Sequence, residues 1–170
     1  EKLVAGKMQF DFHSTPLIPL LEQAIEANRL YGADRRVKIV LQTPLLAVMV
    51  SVDTQRLMQV MNNLLSNAIK YSPEDGQVSV SVIRNDRRVR VAVTDQGPGI
   101  PSSFRQRIFQ KFSQADSSDS RQKGGTGLGL AITRELIERM HGQIDFISEE
   151  GRGSQFFFEL PIEAPTEAAG

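Results

Sequence analysis

The chain has 170 residues, 40% hydrophobic and 24% charged, a balance that suits one globular domain with a sizeable core. Twenty basic residues offset twenty acidic ones, which argues against a broad nucleic-acid-binding or membrane-binding surface. With no cysteine there is no disulfide, thiolate zinc site or cysteine nucleophile, and a reducing, cytoplasmic setting is expected. No signal peptide or membrane span is recognisable, since the apolar stretch Val48 to Val52 is only strand length. The first residue is not Met, so the chain reads as a candidate fragment of a parent whose membrane anchoring is not visible here.

Residues 1–7 read as an upstream linker, followed by Met8-Gln-Phe10-Asp-Phe12, which alternates like a short edge strand. Pro16 then opens a helix through Leu17, Leu20, Leu21, Ile25 and Leu30, with Gly32 as its expected end. Val37 to Gln42 and Val48 to Asp53 are β-branched runs separated by Thr43-Pro44 and predict two strands. Asp53 stands where an N-cap belongs, because Leu57, Val60, Met61, Leu64, Leu65 and Ala68 then repeat at helical spacing from Thr54 to Lys70. Tyr71-Ser72-Pro73 stops that helix. At about 100° per residue, Asn63, Asn67 and Lys70 fall within roughly 60° of one another, along one border of the buried stripe.

Val78, Val80 and Val82 alternate with polar residues, Asn85-Asp86 supplies a tight turn, and Val89, Val91 and Val93 alternate on the return strand. Continuing the phase turns Asp95 inward, and a carboxylate facing an apolar interior is costly unless something pairs with it. A cap for the turn at Gly97 is the bland alternative for this acid. A short helix through Phe104 and Ile108 follows, with Phe109 and Phe112 as core anchors. The polar, aperiodic stretch after Phe112 is expected to form a long loop of the kind that serves as a lid. Helical spacing returns from Gly127 to His141, with Gly142 as the C-terminal cap, and Gln143 to Ser148 and Ser154 to Leu160 form a hairpin across Gly151-Arg152-Gly153. Residues 162–170 read as a C-terminal linker, and the Arg84 to Arg90 cluster as a solvated hairpin.

Two glycine clusters stand out: Asp95-Gln-Gly97-Pro-Gly99-Ile100 and Gly124-Gly125-Thr126-Gly127-Leu128-Gly129-Leu130. Without a Cβ, such backbone reaches positive φ and brings its amides close to an anion. A P-loop is excluded because no Gly-x-x-x-x-Gly-Lys-Ser/Thr occurs, and a Rossmann fingerprint because Leu130 stands where its last glycine would be.

These motifs, in this order, resemble the ATP-binding catalytic domain of bacterial sensor histidine kinases, of the Bergerat-fold ATPase superfamily. The asparagine box is Asn63-Leu-Leu-Ser-Asn67-Ala-Ile-Lys70-Tyr71 and the first glycine box is Asp95-Gln-Gly97-Pro-Gly99-Ile100. The phenylalanine box runs from Ile108 to Asp116, the second glycine box is Gly125-Thr-Gly127-Leu-Gly129, and Gly151-Arg-Gly153-Ser154 matches the closing hairpin. The resemblance covers roughly residues 8–161 and implies an α+β fold: a two-layer α/β sandwich of a mixed, about five-stranded sheet with helices on one face.

It also implies a function: binding Mg-ATP and donating the γ-phosphate to a histidine on a separate dimerisation domain, for onward transfer to a response regulator receiver. Asp95 would accept from the adenine amine, with Ser154 helping through water, and Gly97, Gly99 and Ile100 would lie against the base. Asn67 would contribute to Mg2+, while Asn63 and Lys70 would orient phosphates, with Tyr71 beside them among the nucleotide-binding residues. Gly125, Thr126, Gly127, Leu128 and Gly129, at a helix start, would hold the polyphosphate.

Two departures matter. Where many members carry a lid arginine this chain has Gln114, with Lys111, Arg121 or Lys123 as substitutes for the charge, so Lys111 and Gln114 are the candidate catalytic positions. Neither His13 nor His141 lies in a phosphoacceptor motif, so the accepting histidine belongs to another domain. The wording Phe-Ser-Gln-Ala-Asp in the lid hints at a hybrid kinase. The rivals are a nucleotide-driven conformational ATPase, against which Leu57 to Asn63 contains no acid to serve as base, and a binding-only nucleotide sensor.

Overall fold

The computed structural model describes residues 9–42, 47–110 and 129–163. In chain order the elements are β1 (His13–Pro16), α1 (Leu17–Asp34), β2 (Lys38–Gln42), β3 (Met49–Val52) and α2 (Thr54–Tyr71). They continue with β4 (Gln77–Asn85), β5 (Arg88–Asp95), a 3-10 turn (Ser102–Arg107), α3 (Gly129–Arg139), β6 (Gln143–Glu149) and β7 (Gly153–Pro161). Five strands form one sheet in the order β2-β4-β5-β7-β6, with β2 parallel to β4 and the remaining pairs antiparallel. The β1 and β3 strands make a separate antiparallel pair.

Alternation decides which face of the sheet is covered. Val78, Val80 and Val82 of β4 and Val89, Val91 and Val93 of β5 are all buried, and the register sets Val80 against Val93 and Val82 against Val91. Phe158 and Leu160 extend that apolar face onto β7. Helix α1 packs on β2, α2 on β4 and β5, and α3 on β6. The stripe read from the sequence, Leu57, Val60, Met61, Leu64, Leu65 and Ala68, is buried on α2, and Ile69 is buried beside it. Each large member contributes about 1.5–3 kcal/mol of burial. At the start of α2 the Asp53 carboxylate accepts the Arg56 N–H at 3.1 Å as an N-cap, and its other oxygen accepts the Asp11 N–H at 2.9 Å. Ser72 turns extended before Pro73, whose ring disfavours helix in the preceding residue.

Several expectations are corrected at the ends of elements. Of the strand expected over Met8 to Phe12, residues 9–12 are irregular and β1 begins at His13 instead. The amide that a ladder would have used, Asp11 N–H, is taken by Asp53, and Phe10 packs against the core. His13 therefore lies within a strand, with its Nε2 3.0 Å from the Asp11 carboxylate. Gly32 does not end α1, which runs to Asp34 before Arg36 takes φ 58°. A Cβ at Gly32 would lie 2.8 Å from the Val37 carbonyl oxygen, so this glycine permits close packing of the turn. Likewise α3 ends at Arg139, and His141, at φ 70°, supplies the left-handed cap expected of Gly142. Gly142 is required because a Cβ there would meet Glu159 O at 2.3 Å. The β4–β5 turn is Asp86-Arg87, one residue later than expected, with Asp86 at φ 61°. Of the expected C-terminal linker, Ile162 and Glu163 are tied in, donating to Arg87 O at 2.8 Å and Met49 O at 2.7 Å.

The hairpin before β7 offers a direct comparison of two left-handed glycines. Gly151 has φ 84° with open space around its Cβ position, whereas Gly153 has φ 102° and a Cβ would come within 2.2 Å of the Asp95 carbonyl oxygen. Urea unfolding should show Gly151→Ala costing about 1–2 kcal/mol, the left-handed strain alone, and Gly153→Ala at least about 2 kcal/mol more. Equal costs would mean that backbone approach to Asp95 is not the constraint.

Candidate functional site

The site forms where β5 ends. Asp95 continues the inward phase of Val91 and Val93 and is buried, 7% exposed, opposite Ser154 in the β5–β7 register. Its Oδ1 accepts the Gly97 N–H at 2.8 Å. Burial pushes the carboxyl above its ordinary pKa of 3.8, and the Gly97 and Ser154 main-chain amides pull only partly against that rise. Among the described residues no lysine or arginine forms an ion pair with it. The carboxyl thus both caps the Gly97 turn and keeps an uncompensated tendency to accept.

Glycine lets three segments converge here. A Cβ at Gly97 would lie 2.4 Å from Tyr71 O, one at Gly99 (φ 81°) 2.5 Å from Glu149 O, and one at Gly153 2.2 Å from Asp95 O. The first glycine loop is therefore wedged between the end of α2 and the β6–β7 hairpin. Ile100, itself buried, donates its N–H to Ser148 Oγ at 2.7 Å, and Gly151 donates to Pro98 O at 2.7 Å.

The asparagine-bearing border of α2 supplies the second wall. Asn63 Nδ2 donates to Thr133 Oγ1 at 3.0 Å and to Gly129 O at 3.3 Å, which ties α2 to the first turn of α3. One turn on, Asn67 is half-buried. The Lys70 ammonium lies 5.3 Å from the centre of the Tyr71 ring, which is 37% exposed. The structure thus brings Asp95, Gly97, Gly99, Ile100 and Ser154 together around the β5 end, and sets Asn63, Asn67, Lys70, Tyr71 and Gly129 along α2 and the start of α3. Lys111, Gln114, Gly125, Thr126, Gly127 and Leu128 lie outside the described residues, as does Phe112. Phe109 packs edge-on against Phe146 and Phe156, at 5.9 and 6.2 Å between ring centres, while the lid it is expected to anchor lies outside the described residues.

Two polar residues escaped the sequence reading. Thr133 is fully buried and donates to Gly129 O at 2.7 Å, and its signal was a hydroxyl on the same face as Leu136 and Met140. Ser148 is the inward continuation of Ile144 and Phe146, and the β6 alternation pointed to it. Among the described residues no three His, Asp or Glu side chains cluster as a metal site, and no helix is long and apolar enough to cross a membrane.

The raised pKa of Asp95 has a definite sign for stability. The folded state holds this proton more tightly than the unfolded chain, so the contribution of Asp95 is fully present below about pH 3.8 and is lost as pH climbs through the raised folded value. Asp95→Asn carries no such loss and keeps an acceptor for the Gly97 amide. The variant should melt at a higher temperature than the ligand-free wild type at pH 7, with the gap closing below pH 4. A gap independent of pH would remove charge burial as its cause.

Comparison with known proteins agrees with this geometry. The family model for the histidine kinase-, DNA gyrase B- and HSP90-like ATPases matches residues 52–164. The signal transduction histidine-protein kinase BarA of Escherichia coli K12 is 36% identical over 168 residues, which is 95% of this chain and 18% of BarA. The chain therefore spans a small part of such relatives. The catalytic domain of the histidine kinase ThkA superposes with a TM-score of 0.78 at 29% identity, over 89% of this chain and 96% of that one. Full-length ShkA in complex with AMPPNP superposes with a TM-score of 0.81 at 32% identity, over 95% of this chain and 33% of ShkA. The chain belongs to the histidine kinase-, DNA gyrase B- and HSP90-like ATPase family, in the form taken by the catalytic domains of sensor histidine kinases.

Proposed function

We propose that this domain binds Mg-ATP, reads the purine through Asp95 and presents the γ-phosphate to a histidine on a separate dimerisation domain, from which it passes to a response regulator receiver. The observation that carries this reading is the buried Asp95 carboxyl, held by main-chain amides and lacking an ion-pair partner among the described residues. An ionised acid in that position accepts from the exocyclic amine of adenine and disfavours guanine, whose oxo group would meet it with a second acceptor. The AMPPNP held by the neighbour ShkA supports an adenine nucleotide as the ligand. ThkA has also been solved with the response regulator protein TrrA, which supports the class of downstream partner.

The α2 amides fit a cation beside phosphates. Asn63 commits its NH2 to Gly129 O and Thr133 Oγ1, so the group it has left to offer a ligand is its amide oxygen. An oxygen suits a metal or a water better than a phosphate, so Asn63 joins Asn67 on the metal side in this reading, and Lys70 keeps the phosphate role. Magnesium, when bound, would neutralise part of the triphosphate charge and usually keeps waters among its ligands, so one or two neutral oxygens suffice. Lys111, Gln114 and the residues from Gly125 to Leu128 are proposed for the γ-phosphate and polyphosphate on the family pattern alone.

The domain should be mixed with labelled ATP and its histidine-bearing partner domain. Label on the histidine is the expected result; slow release of free phosphate alone would favour a conformational ATPase, and binding without either would leave a nucleotide sensor. By calorimetry, Asp95→Asn should weaken ATP binding by at least about 2 kcal/mol, the scale of a charged hydrogen bond. Asn67→Asp should disturb magnesium-dependent binding more than binding in EDTA. Unchanged affinity in the first case, or equal losses in the second, removes the role concerned.

A further inference from the structure

One polar row crosses the otherwise apolar inner face of the sheet. Asp95 on β5 is in register with Ser154 on β7, and Ser154 with Ser148 on β6. The adjacent inward rows are Val93, Phe156 and Phe146, then Val91, Phe158 and Ile144. All three members of the polar row are buried, at 7–8% exposure. A buried hydroxyl needs partners, and Ser148 has several. Its Oγ accepts Ile100 N–H at 2.7 Å, lies 3.0 Å from Ser154 Oγ and 3.2 Å from Gly153 O, while its carbonyl accepts from the Arg105 guanidinium.

A serine hydroxyl has one proton and two lone pairs. With Ile100 filling one lone pair, the Ser148 proton serves either Gly153 O, with Ser154 then donating to Ser148, or Ser154 Oγ itself, and in both arrangements the bond fixes the Ser154 oxygen in the row beside Asp95. The same side chain fastens the first glycine loop at Ile100. We propose that Ser148 is a positioning residue for purine recognition, orienting Ser154 next to Asp95 and pinning the glycine loop against β6. This rests on the nucleotide-binding reading above. A serine that merely stabilised the hairpin would alter the melting temperature without altering binding by the folded protein.

The test is calorimetry with ADP and GDP on the wild type, Ser148→Ala, Ser148→Thr, Ser154→Ala and the Ser148→Ala/Ser154→Ala double variant, each at a temperature where circular dichroism shows it folded. Ser148→Ala should bind ADP about tenfold more weakly and prefer ADP over GDP less strongly, the effect of one lost hydrogen bond. Ser148→Thr, which keeps the hydroxyl, should stay within about threefold of wild type, and the double variant should lose less than the product of the single losses. Folded Ser148→Ala with wild-type ADP affinity, or single losses that multiply fully, overturns the proposal alone. A wild-type protein that binds neither nucleotide overturns both it and the nucleotide-binding reading. If Ser148→Ala does not fold, hydrogen exchange at the Ile100 amide of the wild type decides. Slow exchange, slowed further by ADP, supports the pin, and exchange at the rate of an open loop, or unmoved by ADP, overturns it.

Discussion

A carboxylate enclosed by main-chain amides, with no ion-pair partner among the described residues, is the constraint on which the rest of this domain depends. Taking an acid out of water is unfavourable unless its oxygens are hydrogen-bonded, and the fold meets this by folding backbone onto Asp95. Backbone can approach so closely only where side chains are missing. Gly97 and Gly153 are the two positions where a Cβ would strike Tyr71 O and Asp95 O, at 2.4 and 2.2 Å. The glycine spacing thus serves the carboxyl as much as any ligand. The amides offset only part of the burial, which pushes the carboxyl above its ordinary pKa, and a perturbed acid buried at the end of a strand marks a candidate functional site.

Helix α2 connects this centre to the remaining elements. Its N-terminal cap, Asp53, also holds the segment leading into β1, and its C-terminal carbonyl at Tyr71 meets the first glycine loop. Between them Asn63 binds the first turn of α3 through Gly129 and Thr133. At about 1.5 Å of rise per residue, the asparagines at 63 and 67 stand roughly 6 Å apart on one border, a spacing that suits adjacent groups of a polyphosphate or its metal. On the other side of the site, β6 is an edge strand with two of its backbone groups occupied locally: the Asp145 carboxylate accepts Phe146 N–H at 2.8 Å, and Arg105 reaches Ser148 O. Such local closure protects an edge from pairing with another chain and fixes the hairpin that carries Ser148 and Ser154.

Much of this was legible in the residues alone. Periodicity determined the buried stripe of α2 and the inward phase of β4 and β5, because burial selects apolar side chains every three to four residues on a helix and every second residue on a strand. The same phase carried to Asp95 identified the acid that the sheet turns inward and buries, and Asp53 declared the start of α2 because few residues satisfy the first free amides of a helix as well. The ordered asparagine and glycine motifs identified the family. The tertiary structure decided what depends on partners distant in sequence. Residues 9–12 alternate yet form no strand because Asp53, more than forty residues away, takes the Asp11 amide at 2.9 Å. Gly32 and Gly142 read as helix stops but are kept for the approach of Val37 O and Glu159 O. Ser148 and Thr133 became site residues only when register and packing set them beside Ser154 and Asn63. Local pattern reports how a chain meets water, whereas which polar groups meet one another is set by strand register and helix packing, which no short window of sequence contains.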